Sequence, residues 1–151
     1  MHTALLLDPQ GLLRRTLRQA LLGAGVQRVL EAASAAEALR LMSAQLVALV
    51  LTPWEAPDLA GRPLLHALRN RGRNRNVPVI VLDGGLTPAQ VVASVKAGAA
   101  GRLALPTSAP ALRALLERIA AQSAADRGAG LPAAEAAPPV VRAARRGGAK
   151  R

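Results

Sequence analysis

The run LVALVL at 46–51 constrains this chain more than any other feature. Six consecutive apolar residues leave no polar face, so a strand made from them is covered on both sides, as a central parallel strand is. Parallel strands require long crossover connections, usually helices. The rest of the chain supplies both parts. Short apolar runs at 3–7 (TALLL), 26–32 (VQRVLEA), 78–82 (PVIVL) and 101–105 (GRLAL) read as four further strands. Between them lie amphipathic stretches. Leu13, Leu17, Ala20, Leu21 and Ala24 form one helical stripe, with Arg14, Arg15 and Arg18 opposite. Gly23 and Gly25 stop that helix.

Further helices are marked by their caps. Ser34 with Glu37 three residues later is a capping-box pattern. Leu64, Leu65 and Leu68 are the inner face of a helix over 62–69. Thr87 followed by Pro88 opens a helix to about Ala97, and Ser108 opens a last one. Five strand–helix units predict an α/β fold, a doubly wound five-stranded parallel sheet. The order 2-1-3-4-5 is a common solution at this size. Functional groups in such a sheet gather at the carboxyl ends of strands 1, 3 and 4. Those ends are Asp8-Pro9, Thr52-Pro53 and Asp83-Gly84, and the two aspartates are expected to face one crevice. Without a cation there they would repel, and one pKa would rise.

Composition narrows the chemistry. A length of 151 residues points to one domain, here 1–122, with no cysteine for disulfide, thiolate or thiol-nucleophile chemistry. Without Phe or Tyr, the core is built from Leu, Val, Ile and Ala, and Trp54 is the sole aromatic platform. The apolar start is too short for a signal peptide, and no run is long enough to span a bilayer. A soluble cytoplasmic protein is therefore expected. The net charge of +11 favours acidic partners. Residues 123–151 are rich in Ala, Pro, Gly and Arg without periodicity, and are expected to be a disordered basic tail. No phosphate loop, dinucleotide fingerprint or Ser/His/Asp arrangement falls at a strand end, so an enzyme is not expected.

Four ordered segments resemble the receiver domain of bacterial two-component response regulators. LLLDPQGLLRRTLRQAL resembles the first strand, acidic pair and first helix of that family. VALVLTPWEAPDLAGRPLLHALR resembles the third strand, acceptor loop and third helix. VPVIVLDGG resembles the fourth strand and the small residues after it, and AGAAGRLALP the run into the fifth. The resemblance covers residues 3–122 and implies a flavodoxin-like receiver fold.

It also implies a chemistry, phosphorylation of an aspartate assisted by Mg²⁺, a hydroxyl and a lysine. Asp8 matches the first acid of the metal-binding pair, but Pro9 replaces the second. The acceptor position is Pro53, the hydroxyl position Asp83, the lysine position Leu105, and the switching aromatic Arg102. Proline has no nucleophile, so an aspartyl phosphate cannot form there. Thr52 and Glu55 are the neighbouring substitutes. The domain is thus expected to be a degenerate pseudo-receiver. With one carboxylate left, Asp8 is only a weak metal candidate, and no cofactor is expected. Its other reading is a cap or loop hydrogen bond at the strand end.

Four further features concern partners. Trp54 is either a partner-binding anchor or a loop residue lying over the sheet end. His66, mid-helix and without a second metal ligand, reads as a surface histidine. The segment 69–76 places Arg71, Arg73 and Arg75 after Arg69, as an anion-binding patch or a solvated loop. Arg145 and Arg146 lie in a short basic arm of the tail. The resemblance implies a partner face made by the fourth helix, fifth strand and fifth helix, which here would carry Lys96, Arg102, Arg113 and Arg118. A stand-alone, phosphorylation-independent protein-interaction module with a possibly acidic partner is therefore the first expectation. The alternative is a nucleic-acid-binding accessory protein using the Arg-rich loop and tail, with salt-sensitive affinity.

Overall fold

The computed structural model describes residues 2–59, 62–69, 74 and 76–128. Five strands alternate with five helices: β1 (Thr3–Leu7), α1 (Gly11–Gly23), β2 (Arg28–Ala32), α2 (Ala35–Ala44), β3 (Leu49–Pro53), α3 (Leu64–Arg69), β4 (Val79–Asp83), α4 (Pro88–Lys96), β5 (Gly101–Ala104) and α5 (Ala109–Gly128). A short 3-10 turn, Pro57–Leu59, follows β3. All neighbouring strands are parallel, in the order β2-β1-β3-β4-β5. This is the architecture expected from the apolar runs.

The pleat divides the core in two. Leu5, Leu7, Val50, Val79 and Val81 meet Ala35, Ala38, Met42, Leu64 and Leu68 on the side of α2 and α3. Ala4, Leu6, Leu49, Leu51, Ile80 and Leu82 meet Leu17 and Leu21 of α1 and Leu112, Leu115, Leu116 and Ile119 of α5. Successive strand residues point to opposite faces, so an unbroken apolar run serves both layers at once. Each fully buried leucine contributes about 1.5–3 kcal/mol relative to exposure.

The helix caps form at the expected residues. The Ser34 hydroxyl accepts the Glu37 N–H at 3.2 Å, and the Glu37 carboxylate accepts the Ala33 N–H at 2.9 Å. Thr87 and Gln90 complete a reciprocal box. Ser108 accepts the Ala111 N–H at 3.2 Å. After α1 and α4 the chain turns through Gly25 (φ 104°) and Gly98 (φ 94°), a backbone region open to glycine.

Several boundaries move by one to three residues or more. β3 starts at Leu49 rather than at 46, because Leu46 is exposed and the Val47 N–H is taken by the side chain of Asn74. β2 starts at Arg28 rather than at 26. The boundary drawn at 122 falls inside α5, which continues to Gly128. The Ala-rich residues after Ile119 hold helical geometry without an apolar stripe, as alanine's propensity allows. Positions 129–151 lie outside the described residues.

Candidate functional site

The carboxyl ends of β1, β3, β4 and β5 bring Asp8, Pro53, Asp83 and Leu105 to one end of the sheet. Asp8 follows β1 and is buried. Its N–H donates to the Ala32 carbonyl, and its Oδ1 accepts the Gln10 N–H at 2.8 Å. This is the loop hydrogen bond expected of an aspartate at a strand end. Arg14 Nη1 donates to the Asp8 carbonyl at 2.7 Å, and its Nε reaches Glu31 at 3.3 Å, beside Arg18 at 3.4 Å. Burial pushes the Asp8 carboxyl above its ordinary range, offset in part by the Gln10 N–H and the Arg14 charge.

Asp83 has a different environment. Its Oδ1 accepts the N–H groups of Gly85 at 3.0 Å and Leu86 at 2.7 Å. Its Oδ2 lies 3.3 Å from Arg102 Nε. The Leu86 and Gly85 N–H groups, with a smaller contribution from Arg102, hold this carboxyl below its ordinary range. One aspartate pKa does rise, but burial raises it. The expected mutual repulsion is not the cause, because Asp83 is turned toward β5 and paired there.

Pro53 is the last residue of β3, in register with Leu82. It offers neither an N–H nor a nucleophile. Thr52 beside it is buried, and its hydroxyl donates to the Pro53 carbonyl at 3.0 Å. Glu55 is exposed and within 3.5 Å of Gln90 Nε2. Pro9 is exposed, and Leu105 packs against the α1/α5 core layer. Among the described residues no three acidic, histidine or cysteine side chains converge as a cation site.

The structure decides one alternative and corrects one expectation. Trp54 is not an exposed anchor. It is 8% exposed and packed into the α2/α3 core layer, with exposed His66 edge-on at 5.9 Å. In a chain without Phe or Tyr, it is the one large aromatic side chain in that layer. Arg113 is not on the face of α4 and β5. Its Nη2 donates to the Gly23 carbonyl at 2.9 Å, satisfying a carbonyl at the end of α1. Position 113 lies far around the helix from 111, 114 and 118, and so faces α1. Arg71, Arg73, Arg75, Arg145 and Arg146 lie outside the described residues.

Arg102 does stand at the surface of β5, on the rim of a groove of about 530 Å³ between β5 and α5. Ala104, Ala111 and Ala114 line it, and Arg118 is its second guanidinium. Val92, Val95 and Lys96 of α4 are exposed nearby in sequence order.

Residues 4–117 match the response regulator receiver domain. The chain belongs to that family. It is 29% identical over 114 residues to chemotaxis protein CheY1 of Helicobacter pylori, covering 75% of this chain and 92% of that protein. It is 26% identical over 115 residues to chemotaxis protein CheY of Pseudomonas aeruginosa, covering 76% and 93%. Among solved structures, a putative response regulator of Chloroflexus aurantiacus is similar at TM-score 0.70 and 27% identity, covering 80% of this chain and 98% of that one. Chemotaxis protein CheY4 of Vibrio cholerae shares the fold at TM-score 0.71 and 24% identity, with coverage of 79% and 98%. This receiver therefore carries the two-component fold around a carboxyl end whose groups are Asp8, Pro53, Asp83 and Leu105.

Three contacts here were not read from the sequence. The pairing of Asp83 with Arg102 needs the strand register: Asp83 partners Ala104, so Arg102 is its diagonal neighbour on the same face. Asn74 is buried and bridges two loops. Asp58 accepts the Ala35 and Ala36 N–H groups at 3.1 and 2.9 Å, closing the start of α2 from a distant loop. A sequence signal existed only for the first, in the ordering of β4 beside β5.

Proposed function

We propose that this receiver acts as a non-enzymatic, phosphorylation-independent protein-interaction module in bacterial two-component signalling, in a soluble cytoplasmic setting. The observation that carries this reading is Pro53 at the end of β3, where the nucleophile of the family chemistry would stand. The surrounding groups support it. Thr52 is buried and its hydroxyl is engaged with the Pro53 carbonyl.

A magnesium ion does not fit these residues. Mg²⁺ binds through oxygen ligands, commonly one or two carboxylates. Here Pro9 and Pro53 add no side-chain oxygen, and Asp8 stands alone with the Arg14 guanidinium at its carbonyl. The arginine supplies positive charge where a cation would otherwise supply it. Asp83 is likewise paired with Arg102. Asp8 and Asp83 thus each have an internal cation beside them.

The test is a titration of the full chain with beryllofluoride and Mg²⁺, followed by Trp54 fluorescence, with acetyl phosphate and intact-mass spectrometry as a second readout. Trp54 is next to the vacant acceptor position and is the only tryptophan. A flat titration and an unchanged mass are expected. A saturable fluorescence change, or a stoichiometric phosphoryl adduct, overturns the reading.

A further inference from the structure

The amino end of the sheet, opposite Asp8 and Pro53, carries features that neither the fold nor the missing nucleophile explains. Its backbone is stitched across neighbouring strands. The Arg28 N–H donates to the His2 carbonyl at 3.0 Å, and the Ala48 N–H donates to the Thr3 carbonyl at 2.8 Å. The start of β2, the start of β1 and the lead into β3 therefore lie side by side, each about 5 Å from the next. Arg28 is exposed, as is Lys96 in the last turn of α4, and Leu46 is 62% exposed between exposed Ala44 and Ala48. Arg28 shares its face of β2 with Leu30, which packs on the α2 side, so it leaves the sheet toward the end of α2 that precedes Leu46. Asn74 and Arg69 fasten the other connections of this end. Asn74 holds the Val47 N–H, and Arg69 donates to the carbonyls of Val77 and Gly98.

Acids are segregated from this end. Asp8, Glu37, Glu55, Asp58 and Asp83 sit at or just beyond the carboxyl ends of strands, and Glu31 is paired with Arg14 and Arg18. The connections 24–27, 45–48, 70–78 and 97–100, and the last turns of α1 to α4, contain no Asp or Glu. In α5, Glu117 lies mid-helix, and Asp126 is followed at once by Arg127. Cations at helix carboxyl ends complement the helix dipole, which accounts for Arg69 and Lys96. It does not account for Arg28, which is on a strand, or for the exposed Leu46 among cations.

We propose that the amino end of the sheet is a peripheral contact for an anionic lipid bilayer, with Arg28 and Lys96 at the headgroups and Leu46 entering the interface. The acid-free end meets no repulsion from a negative surface, and the net charge of +11 draws the whole chain toward one. Leu46 decides between polyanions. A lipid interface rewards an exposed leucine, whereas a nucleic-acid backbone does not. The single aromatic that could stack on a base, Trp54, is buried after β3 at the other end of the sheet. The contact goes beyond the protein-interaction reading and does not depend on it, because the length of the strands, about 15 Å, separates this end from Pro53.

The test uses the full chain and sucrose-loaded vesicles of mixed phosphatidylglycerol and phosphatidylcholine, sedimented at physiological salt. The chain should sediment with the mixed vesicles and stay in solution with phosphatidylcholine alone. Arg28→Gln and Lys96→Gln should each weaken the partition about fivefold, the share of one cation at an anionic surface. Leu46→Ser should weaken it by a similar factor through lost apolar burial. Arg15→Gln removes the same charge from an exposed position in the half of α1 nearer the carboxyl end, and should change the partition by less than about twofold. No sedimentation with the mixed vesicles overturns the proposal. An equal loss in Arg15→Gln and Arg28→Gln overturns it as well, since net charge alone would then be the cause. So does a Leu46→Ser variant that binds like the parent, or tighter capture of duplex DNA than of vesicles through Arg28 and Lys96. None of these outcomes touches the phosphorylation-independent reading, which stands or falls on the beryllofluoride titration.

Discussion

Replacing Asn74 by alanine should destabilise the domain far more than its place in an arginine-rich connection would indicate. Asn74 is 5% exposed. Its Oδ1 accepts the Val47 N–H at 3.0 Å, and its Nδ2 donates to the carbonyls of Met42 at 2.8 Å and Gln45 at 3.0 Å. It thus ties the α2–β3 connection to the one before β4. Alanine strands the Val47 N–H in a buried setting and removes the donor to two carbonyls. A buried group left unsatisfied costs about 1–3 kcal/mol. The Gln45 carbonyl belongs to an exposed residue, so water takes over part of its loss. The expected cost is therefore about 2–4 kcal/mol, a large part of the roughly 5–15 kcal/mol that holds a domain folded. Urea unfolding followed by Trp54 emission measures it, since this buried single tryptophan becomes solvated on unfolding. The midpoint should fall with an unchanged slope. Asn74→Asp is the companion variant. It keeps the acceptor for Val47 but sets a carboxylate against two carbonyl oxygens, so its deficit should shrink as pH falls and the acid is protonated. A loss below about 0.5 kcal/mol for Asn74→Ala, the range of ordinary surface substitutions, would refute the bridging role.

Three further outcomes are expected. Burial raises the Asp8 pKa above its ordinary 3.8, so the folded state holds that proton more tightly than the unfolded chain. Stability attributable to Asp8 therefore falls as pH rises from the ordinary carboxylate value through the folded one, and Asp8→Asn should flatten this part of the stability–pH curve. Asp83 has the opposite sign: its lowered pKa contributes stability above the ordinary value that is lost in acid, and Asp83→Asn should weaken the acid dependence. At Gly101 an added Cβ would lie 3.0 Å from Leu115 Cδ1 and 3.7 Å from Ile119 Cδ1, so Gly101→Val should cost about 1–3 kcal/mol in thermal unfolding by displacing α5 from the edge strand.

The fold was legible because its signals are local and redundant. Unbroken apolar runs, caps at Ser34, Thr87 and Ser108, and glycines after α1 and α4 each act within a few residues, and all agree. Element ends were less legible where a distant group intervened. β3 starts late because Asn74 takes the Val47 N–H. Trp54 was ambiguous because a loop tryptophan after a strand is equally compatible with display or closure. Only the depth of the core beneath it decides for closure. Arg113 was assigned to the wrong face because the chain alone does not say which side of α5 meets α1.

What the amino-acid order determined by itself is the doubly wound sheet and the absence of a nucleophile at Pro53. Periodicity dictates the first, and the covalent structure of proline dictates the second in any conformation. What only the tertiary structure decided is which charges meet. Asp8 is buried beside Arg14, Asp83 turns to Arg102 across the β4–β5 register, and Arg118 is left facing an open groove. Such pairings depend on distances of a few ångströms between residues on different elements of the fold. No local propensity encodes those distances, because they are set by how the two core layers pack.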